Sequence, residues 1–242
     1  MAITGAAGLL ATWEAGLAEA PAGRAVLLHG TARPDLDPAA LPTVPVGERE
    51  SDLFALRRAL FGERMQVRME CHACGADMEF DLDAGEFAKS LGAAGESVVR
   101  LSEDGWDLAF RLPAPADLTA AARAADPRAA LLARCLVSAV REGTAVTADA
   151  LPAPVQRRIA DAVEAADPGA DVTLNVGCPE CGTATRAEFD IASYLWTELD
   201  AWARDVLLDV HLLATAYGWS EPEILALSPL RRRYYLELCA DV

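Results

Sequence analysis

The stretch Cys71-His72-Ala73-Cys74-Gly75 returns in a related form as Cys178-Pro179-Glu180-Cys181-Gly182. Each stretch follows the pattern Cys-x-x-Cys-Gly and lies between two runs of strand-like sequence. Two residues between the thiols let both sulfurs of one turn reach the same ion, and the following glycine tolerates the positive φ that the turn requires. The pattern therefore predicts two β-hairpins, each with a metal-binding pair of thiols in its turn.

The four thiols of these turns match the donor set of a zinc ribbon, in which sulfurs surround the ion at the corners of a tetrahedron. We therefore expect one structural zinc ion. The predicted strands of the hairpins lie at 65–70, 77–82, 172–176 and 185–191. The predicted zinc ligands are Cys71, Cys74, Cys178 and Cys181.

Residues 75–177 separate the two thiol pairs, whereas the usual ribbon has roughly 15–20 residues between them. Either a whole subdomain is inserted in the ribbon or the pairs do not meet, and the shared strand–turn–strand pattern favours one shared zinc. Two other interpretations stay open. Each turn can hold a local disulfide, which a reducing cytosol and a small strained ring disfavour. Each turn can instead hold a redox-active pair of thiols, although such a pair normally lies at the start of a helix and not in a hairpin turn. His72 is a further candidate ligand, but a residue inside such a turn is more often simply exposed.

Composition limits the classes of protein to which this chain can belong. Its 242 residues suit one large or two small domains, and its hydrophobic content of 52%, rich in alanine, suits closely packed helices. The net charge of −16 argues against nucleic-acid binding, since a basic face supplies most of that affinity. No apolar run reaches the length of a membrane span, and the first residues lack the features of a signal peptide. We therefore expect a cytoplasmic protein that does not cross a membrane.

Helical periodicity and turn signals predict the remaining elements. Residues 31–49 are rich in Pro, Asp and Gly and predict a surface loop, and a β-hairpin is predicted from 97–101 and 106–111. The predicted helices lie at 6–19, 51–61, 117–125, 127–142, 152–166 and 192–217, with two shorter helices after Gly218.

These elements predict an α+β, mainly helical fold with a zinc-ribbon-like pair of β-hairpin knuckles and a long C-terminal helix. A helical insertion, which also carries the 97–111 hairpin, splits the ribbon at about 92–170. The expected parts are an N-terminal helical segment at 1–62, the split ribbon at 63–191 and a C-terminal helical region at 192–242.

The C-terminal part of the chain resembles a known family, the T-even-phage-type baseplate hub assembly chaperones. Proteins of this family are encoded with contractile phage tails and with phage-tail-like contractile injection systems. The strongest agreement runs from Tyr217 to Leu238, and weaker agreement extends to residues 49–61 and the first thiol turn. The other stretches that carry the resemblance are Cys178–Gly182, Phe189–Ile191, Leu195–Trp196 and Val210–Ala214.

This resemblance implies a protein that helps to build, or forms part of, the baseplate at the end of a contractile tube. It implies no enzymatic activity, and it implies baseplate or hub proteins as partners. The family does not require the thiol turns, so a zinc ion here would stabilise the chain locally.

The final helices are the expected partner surface, because Trp and Arg are enriched where binding energy is concentrated. The candidate residues are Trp219 and the cluster Arg231, Arg232 and Arg233. An alternative for Trp219 is the apolar contact that closes the helix end at Gly218.

Two other function classes stay open. A nucleic-acid-binding or regulatory zinc ribbon fits the thiol turns and is opposed by the charge. A zinc enzyme is opposed by the ligand set, because four thiolates leave no open coordination position for water. The sequence also lacks a Gly-rich phosphate loop, a His-Glu-x-x-His motif and a Ser-centred elbow. We therefore predict that the protein is not an enzyme.

Overall fold

A computed structural model describes residues 5–90 and 96–240 and confirms the predicted mixture of α and β structure. Internal contacts divide the chain into two compact units. One unit comprises Arg33–Asp190, and the other combines the chain up to Ala32 with the chain from Ile191 onward. The three-part division at 62 and 191 stays a prediction about domains.

The described residues form α-helices and short antiparallel strands. The helices are α1 (Ala6–Leu17), α2 (Pro21–Ala32), α3 (Val46–Phe61), α4 (Ala84–Ser90), α5 (Pro115–Ala122), α6 (Pro127–Cys135), α7 (Ala153–Ala166), α8 (Ile191–Tyr217), α9 (Glu221–Leu225) and α10 (Pro229–Ala240). The strands are β1 (Arg64–Glu70), β2 (Asp77–Asp83), β3 (Val98–Glu103), β4 (Trp106–Arg111), β5 (Leu136–Arg141), β6 (Thr144–Ala145), β7 (Thr173–Gly177) and β8 (Ala184–Glu188).

The two predicted thiol hairpins are present. Strand β1 pairs antiparallel with β2, and Glu70 lies opposite Asp77 at the turn. Strand β7 pairs antiparallel with β8, and Gly177 lies opposite Ala184. Alternation in β1 buries Met65 and exposes its neighbours on the other face, as expected for a strand with one face in a core.

The segment between the hairpins forms its own small core. The predicted hairpin is found as β3 and β4, and it extends through β5 to β6 in a four-stranded antiparallel sheet. Side chains of β4 pack against α7, which brings Trp106, Leu108 and Phe110 together with Val155 and Ile159. The insertion is therefore a sheet with helices, and not helices with one hairpin.

The predicted helix at 127–142 is right as far as Cys135 and wrong beyond it. Leu136 takes extended backbone angles, with φ −66° and ψ 119°, and residues from there to Arg141 form β5. The apolar residues of this run fit both periodicities, and pairing with β4 decides between them, with Ala139 opposite Leu108.

Helix α3 is longer than predicted, since it begins at Val46 and not near Ser51. Leu53 and Phe54 of this helix are fully buried. Phe54 contacts Phe87, with ring centroids 5.6 Å apart, and Phe189, with centroids 6.1 Å apart, and those two rings meet edge-on at 6.3 Å. This aromatic cluster joins α3 to the segment that follows each thiol hairpin.

The second unit is helical, and the predicted long C-terminal helix is α8, with 27 residues. Trp196 of α8 packs on Gly16 of α1, where a Cβ atom would lie 2.4 Å from the indole. The guanidinium of Arg24 lies 4.6 Å from the centroid of the same indole. Residues Ala25–His29 lie outside the predicted helices but belong to α2, which Pro21 begins. Among the described residues, no helix combines the length and the apolar character needed to cross a bilayer.

Candidate metal centre

The two thiol turns meet. The sulfurs of Cys71, Cys74, Cys178 and Cys181 all lie within 4.8 Å of one another. Cys71 Sγ lies 3.7 Å from Cys181 Sγ, and Cys74 Sγ lies 3.7 Å from Cys178 Sγ. The fold thus brings together two pairs that residues 75–177 separate in sequence.

Each turn has the same backbone hydrogen bonds. In the first turn the amide of Gly75 donates to the carbonyl of Cys71 at 2.9 Å, and the amide of Cys71 donates to the carbonyl of Ala76 at 2.9 Å. The matching bonds of the second turn, also 2.9 Å long, run from Gly182 to Cys178 and from Cys178 to Thr183. Gly75 and Gly182 have φ of +71° and +73°, which a side chain would strain.

The two sulfur–sulfur distances between the turns fit a metal ion better than disulfides that would join the turns. A tetrahedral site with Zn–S bonds of about 2.3 Å sets neighbouring sulfurs about 3.8 Å apart. A disulfide requires about 2.0 Å. The cluster residues are free thiols, so this group of four soft donors can hold one metal ion.

The cluster is dry on one side and open on the other. Cys71 and Cys178 are buried, whereas Cys74 and Cys181 are exposed. Met78 packs against the two buried thiols. A bound ion would therefore lie near the protein surface, with the exposed thiols of Cys74 and Cys181 on its solvent side.

Two side chains that are not thiols lie next to the four sulfurs. The buried hydroxyl of Thr185 donates a hydrogen bond to Cys71 Sγ at 3.6 Å. The exposed ring of His72 sets its Nδ1 3.2 Å from Thr185 Oγ1. His72, the further candidate ligand, thus lies beside the thiols and is hydrogen bonded to Thr185. Sequence analysis missed Thr185, because its contact depends on how two distant hairpins pair.

Local hydrogen bonds shift the pKa values of three of the thiols in different directions. The Thr185 hydroxyl, together with the backbone amides of Cys74 and Ala73, lowers the pKa of Cys71 to about 6. The hydroxyl of Thr183 lowers the pKa of Cys181. The Ala76 amide favours the thiolate of Cys74, but the neighbouring sulfurs outweigh it and raise its pKa to about 12. Sulfurs this close cannot all ionise unless a cation lies between them.

The candidate partner residues lie in the other unit. Trp219 stacks on Tyr217 with ring centroids 4.7 Å apart and meets Tyr235 edge-on at 4.9 Å. The indole is half-buried in this aromatic group, which lies next to the helix end at Gly218. Its role in partner binding stays a prediction.

The three arginines of α10 have different surroundings. Arg232 is buried, and its Nε donates to Asp209 Oδ2 of α8 at 2.9 Å. Arg233 is exposed and pairs with Glu237 one turn later at 3.0 Å. Arg231 is exposed as well. Two of the three guanidinium groups therefore face solvent.

Comparison with known proteins gives one family match. A family described as T4 bacteriophage base plate protein matches residues 35–196, which include both thiol turns and the whole segment between them. The match leaves out Tyr217–Leu238, the stretch that carried the strongest resemblance. Searches of curated proteins and of solved structures gave no match. Because the match spans more than half of the sequence, the chain belongs to the T4 bacteriophage base plate protein family.

Proposed function

We propose that this protein is a non-enzymatic assembly factor or structural component of the baseplate of a contractile tail or injection system, with one structural zinc ion. The observation that carries the proposal is the convergence of four thiols within the segment that matches the baseplate family. Within that family we favour the role of a hub assembly chaperone, because residues Tyr217–Leu238 resemble such chaperones.

Zinc is the proposed ion, bound by Cys71, Cys74, Cys178 and Cys181. Four thiols that all lie within 4.8 Å of one another suit zinc, and four thiolate ligands leave no open coordination position for catalysis. The ion would hold together the two ends of the segment 75–177 that separates the thiol pairs. Zinc binding to small domains is worth on the order of 10 kcal/mol, and that free energy becomes stability of the fold.

A protein partner fits the charge of the chain better than a nucleic acid does. The net charge is −16, and phosphate contacts need exposed cations. The densest basic cluster, Arg231–Arg233, exposes less positive charge than its sequence suggests, because Arg232 is buried in an ion pair with Asp209. Baseplate or hub proteins are therefore the proposed partners, and the cytoplasm is the proposed location.

The proposed partner surface lies on α8 and α10. Of the ten large apolar side chains that are exposed in the described residues, seven belong to these two helices. Leu230, Tyr234 and Leu238 follow at intervals of four, so they share one face of α10, with Arg231 and Arg233 beside it. Apolar surface of this kind marks protein-binding sites. The seven side chains are Leu207, Leu208, Leu212, Tyr217, Leu230, Tyr234 and Leu238.

Purification of the native protein from its source tests this proposal. Mass spectrometry would identify the proteins recovered with it, both from assembled particles and from the remaining lysate. Sheath, tube, spike or baseplate proteins in the eluate are the expected result. Presence in finished particles would make the chain a component, and absence would make it a transient assembly factor. Recovery alone, or with nucleic acid, would contradict the baseplate function.

A further inference from the structure

A hydrogen-bonded relay crosses between the two thiol hairpins. Thr185 on β8 donates to Cys71 Sγ at 3.6 Å, and His72, next to Cys71 in the other hairpin, lies 3.2 Å from the same hydroxyl oxygen. Thr185 is 3% exposed, so solvent competes little for its hydroxyl. A side chain of one hairpin thus contacts the sulfur and the imidazole of the other.

A zinc-bound sulfur fixes the direction of this relay. A zinc ligand must be a thiolate, which only accepts hydrogen bonds, so the one hydrogen of the Thr185 hydroxyl points to Cys71. The oxygen of that hydroxyl is then free to accept. His72 must supply the hydrogen from Nδ1, and its neutral ring is therefore the tautomer that carries hydrogen on Nδ1.

The second hairpin lacks the chemistry for such a relay. Pro179 follows Cys178 as His72 follows Cys71, and Met78 stands four residues after Cys74 as Thr185 stands four after Cys181. Neither replacement carries a hydroxyl or an imidazole. The thioether of Met78 instead packs against the buried thiols. A hydroxyl that is itself held by an imidazole is thus found at Cys71, whereas Cys181 has the hydroxyl of Thr183 from its own turn.

We propose that Thr185 is a positioning residue of the metal centre, which orients the Cys71 sulfur toward the ion, and that His72 holds the Thr185 hydroxyl in the donating orientation. This proposal rests on the zinc site proposed above. Outer partners of metal ligands fix ligand orientation, and their loss typically weakens metal affinity about 10- to 100-fold.

Zinc affinity of the full-length protein, measured by competition with a chromophoric chelator, tests the proposal. We expect Thr185→Val, which keeps the shape of the side chain, to bind zinc about 10- to 100-fold more weakly at unchanged stoichiometry. Thr185→Ser restores the hydroxyl and should restore most of the affinity. His72→Ala should fall between the wild type and Thr185→Val. Thr173→Val is the matched control on β7, where the hydroxyl contacts Asp171 and not a sulfur.

Different outcomes overturn different statements. One zinc per chain with equal affinity in wild type and Thr185→Val removes the positioning role and leaves the zinc site intact. Equal losses in Thr185→Val and Thr185→Ser would mean that packing, and not the hydroxyl, is responsible. Absence of zinc binding in the wild type removes both the site and the relay.

The His72 tautomer gives a second readout that packing alone would not produce. Long-range nitrogen–proton NMR of the zinc-loaded protein, at a pH where the ring is neutral, should show hydrogen on Nδ1. Thr185→Val should abolish this preference. A wild-type ring that carries hydrogen on Nε2 overturns the relay.

Discussion

The carboxylate of Asp167 accepts a hydrogen bond from the amide of Gly47 at 3.0 Å, although the two residues lie 120 positions apart. Gly47 is the second residue of α3, whose first amides have no partner within the helix. Asp167 follows α7 and is buried. The contact caps α3 from the far end of the inserted segment, which explains why that helix begins before Ser51.

Gly47→Ala should destabilise the protein, although alanine normally favours a helix. A Cβ atom at this position would lie 1.8 Å from Asp167 Oδ1 and 3.1 Å from the amide nitrogen of Ala170. Overpacking of this kind costs about 1–3 kcal/mol in the free energy of unfolding, which urea denaturation measures. The cost should shrink in an Asp167→Ala background, where the nearest obstacle is gone. Equal costs in both backgrounds would mean that the clash is not with Asp167.

Asp117 should make stability depend on acidic pH. Arg111 donates a hydrogen bond to Asp117 Oδ1 at 2.6 Å, and Arg134 donates one to the same oxygen at 2.9 Å. Together with the backbone amide of Ala114, these donors lower the pKa of Asp117 to about 2. The pKa of Asp117 in the folded state lies below the unfolded value of 3.8. The ionised carboxylate therefore contributes its full share to the free energy of unfolding above about pH 4, and this share is lost as pH falls through about 2. The shift corresponds to about 2 kcal/mol.

Asp117→Asn tests this contribution by unfolding at several pH values. The variant should be less stable at neutral pH by about 2 kcal/mol and should lose less stability than the wild type between about pH 4 and about pH 2. Asp107→Asn, an exposed carboxylate on β4, is the control. Parallel pH profiles for wild type and Asp117→Asn would show that the ion pairs of this buried carboxylate do not control acid stability.

Local patterns predicted much of the fold, and the failures arise where distant residues decide. The thiol turns carry their own information, because Gly75 and the hydrogen bonds around it lie within one turn. The start of α3 could not be predicted from residues near Ser51, since the capping carboxylate belongs to Asp167. Leu136 ends α6 because β4 offers a free edge, which no local periodicity reveals.

The candidate site shows the same division. The type and spacing of the cysteines predicted the four clustered thiols, and the long separation of the pairs left their meeting open. Thr185 gave no sequence signal, because its contact with Cys71 requires both hairpins to be folded and paired. Arg232 looked like its exposed neighbours in sequence, but α8 supplies Asp209 and buries it.

Loss of the metal should lower stability and metal content together. Cys74→Ser and Cys181→Ser each remove one soft donor from the exposed side of the cluster, where the substitution disturbs packing least. We expect less than one zinc per chain and a lower Tm, and a strong chelator should lower the Tm of the wild type. Cys239→Ser, in α10, is the control for loss of a thiol. An unchanged Tm in a variant that has lost its zinc would contradict the proposal that the ion stabilises the fold.

Partner binding and folding should separate among the arginines of α10. Arg231→Glu with Arg233→Glu reverses two exposed charges, so we expect loss of co-purifying baseplate proteins with an unchanged Tm. Arg232→Ala leaves Asp209 without its guanidinium, which should lower the free energy of unfolding by about 1–3 kcal/mol. Arg128→Glu on α6, which also reverses an exposed arginine, is the control and should leave co-purification unchanged. Retained partners after the double charge reversal would remove Arg231 and Arg233 from the proposed surface, because the apolar face of α10 would then bind without its flanking cations.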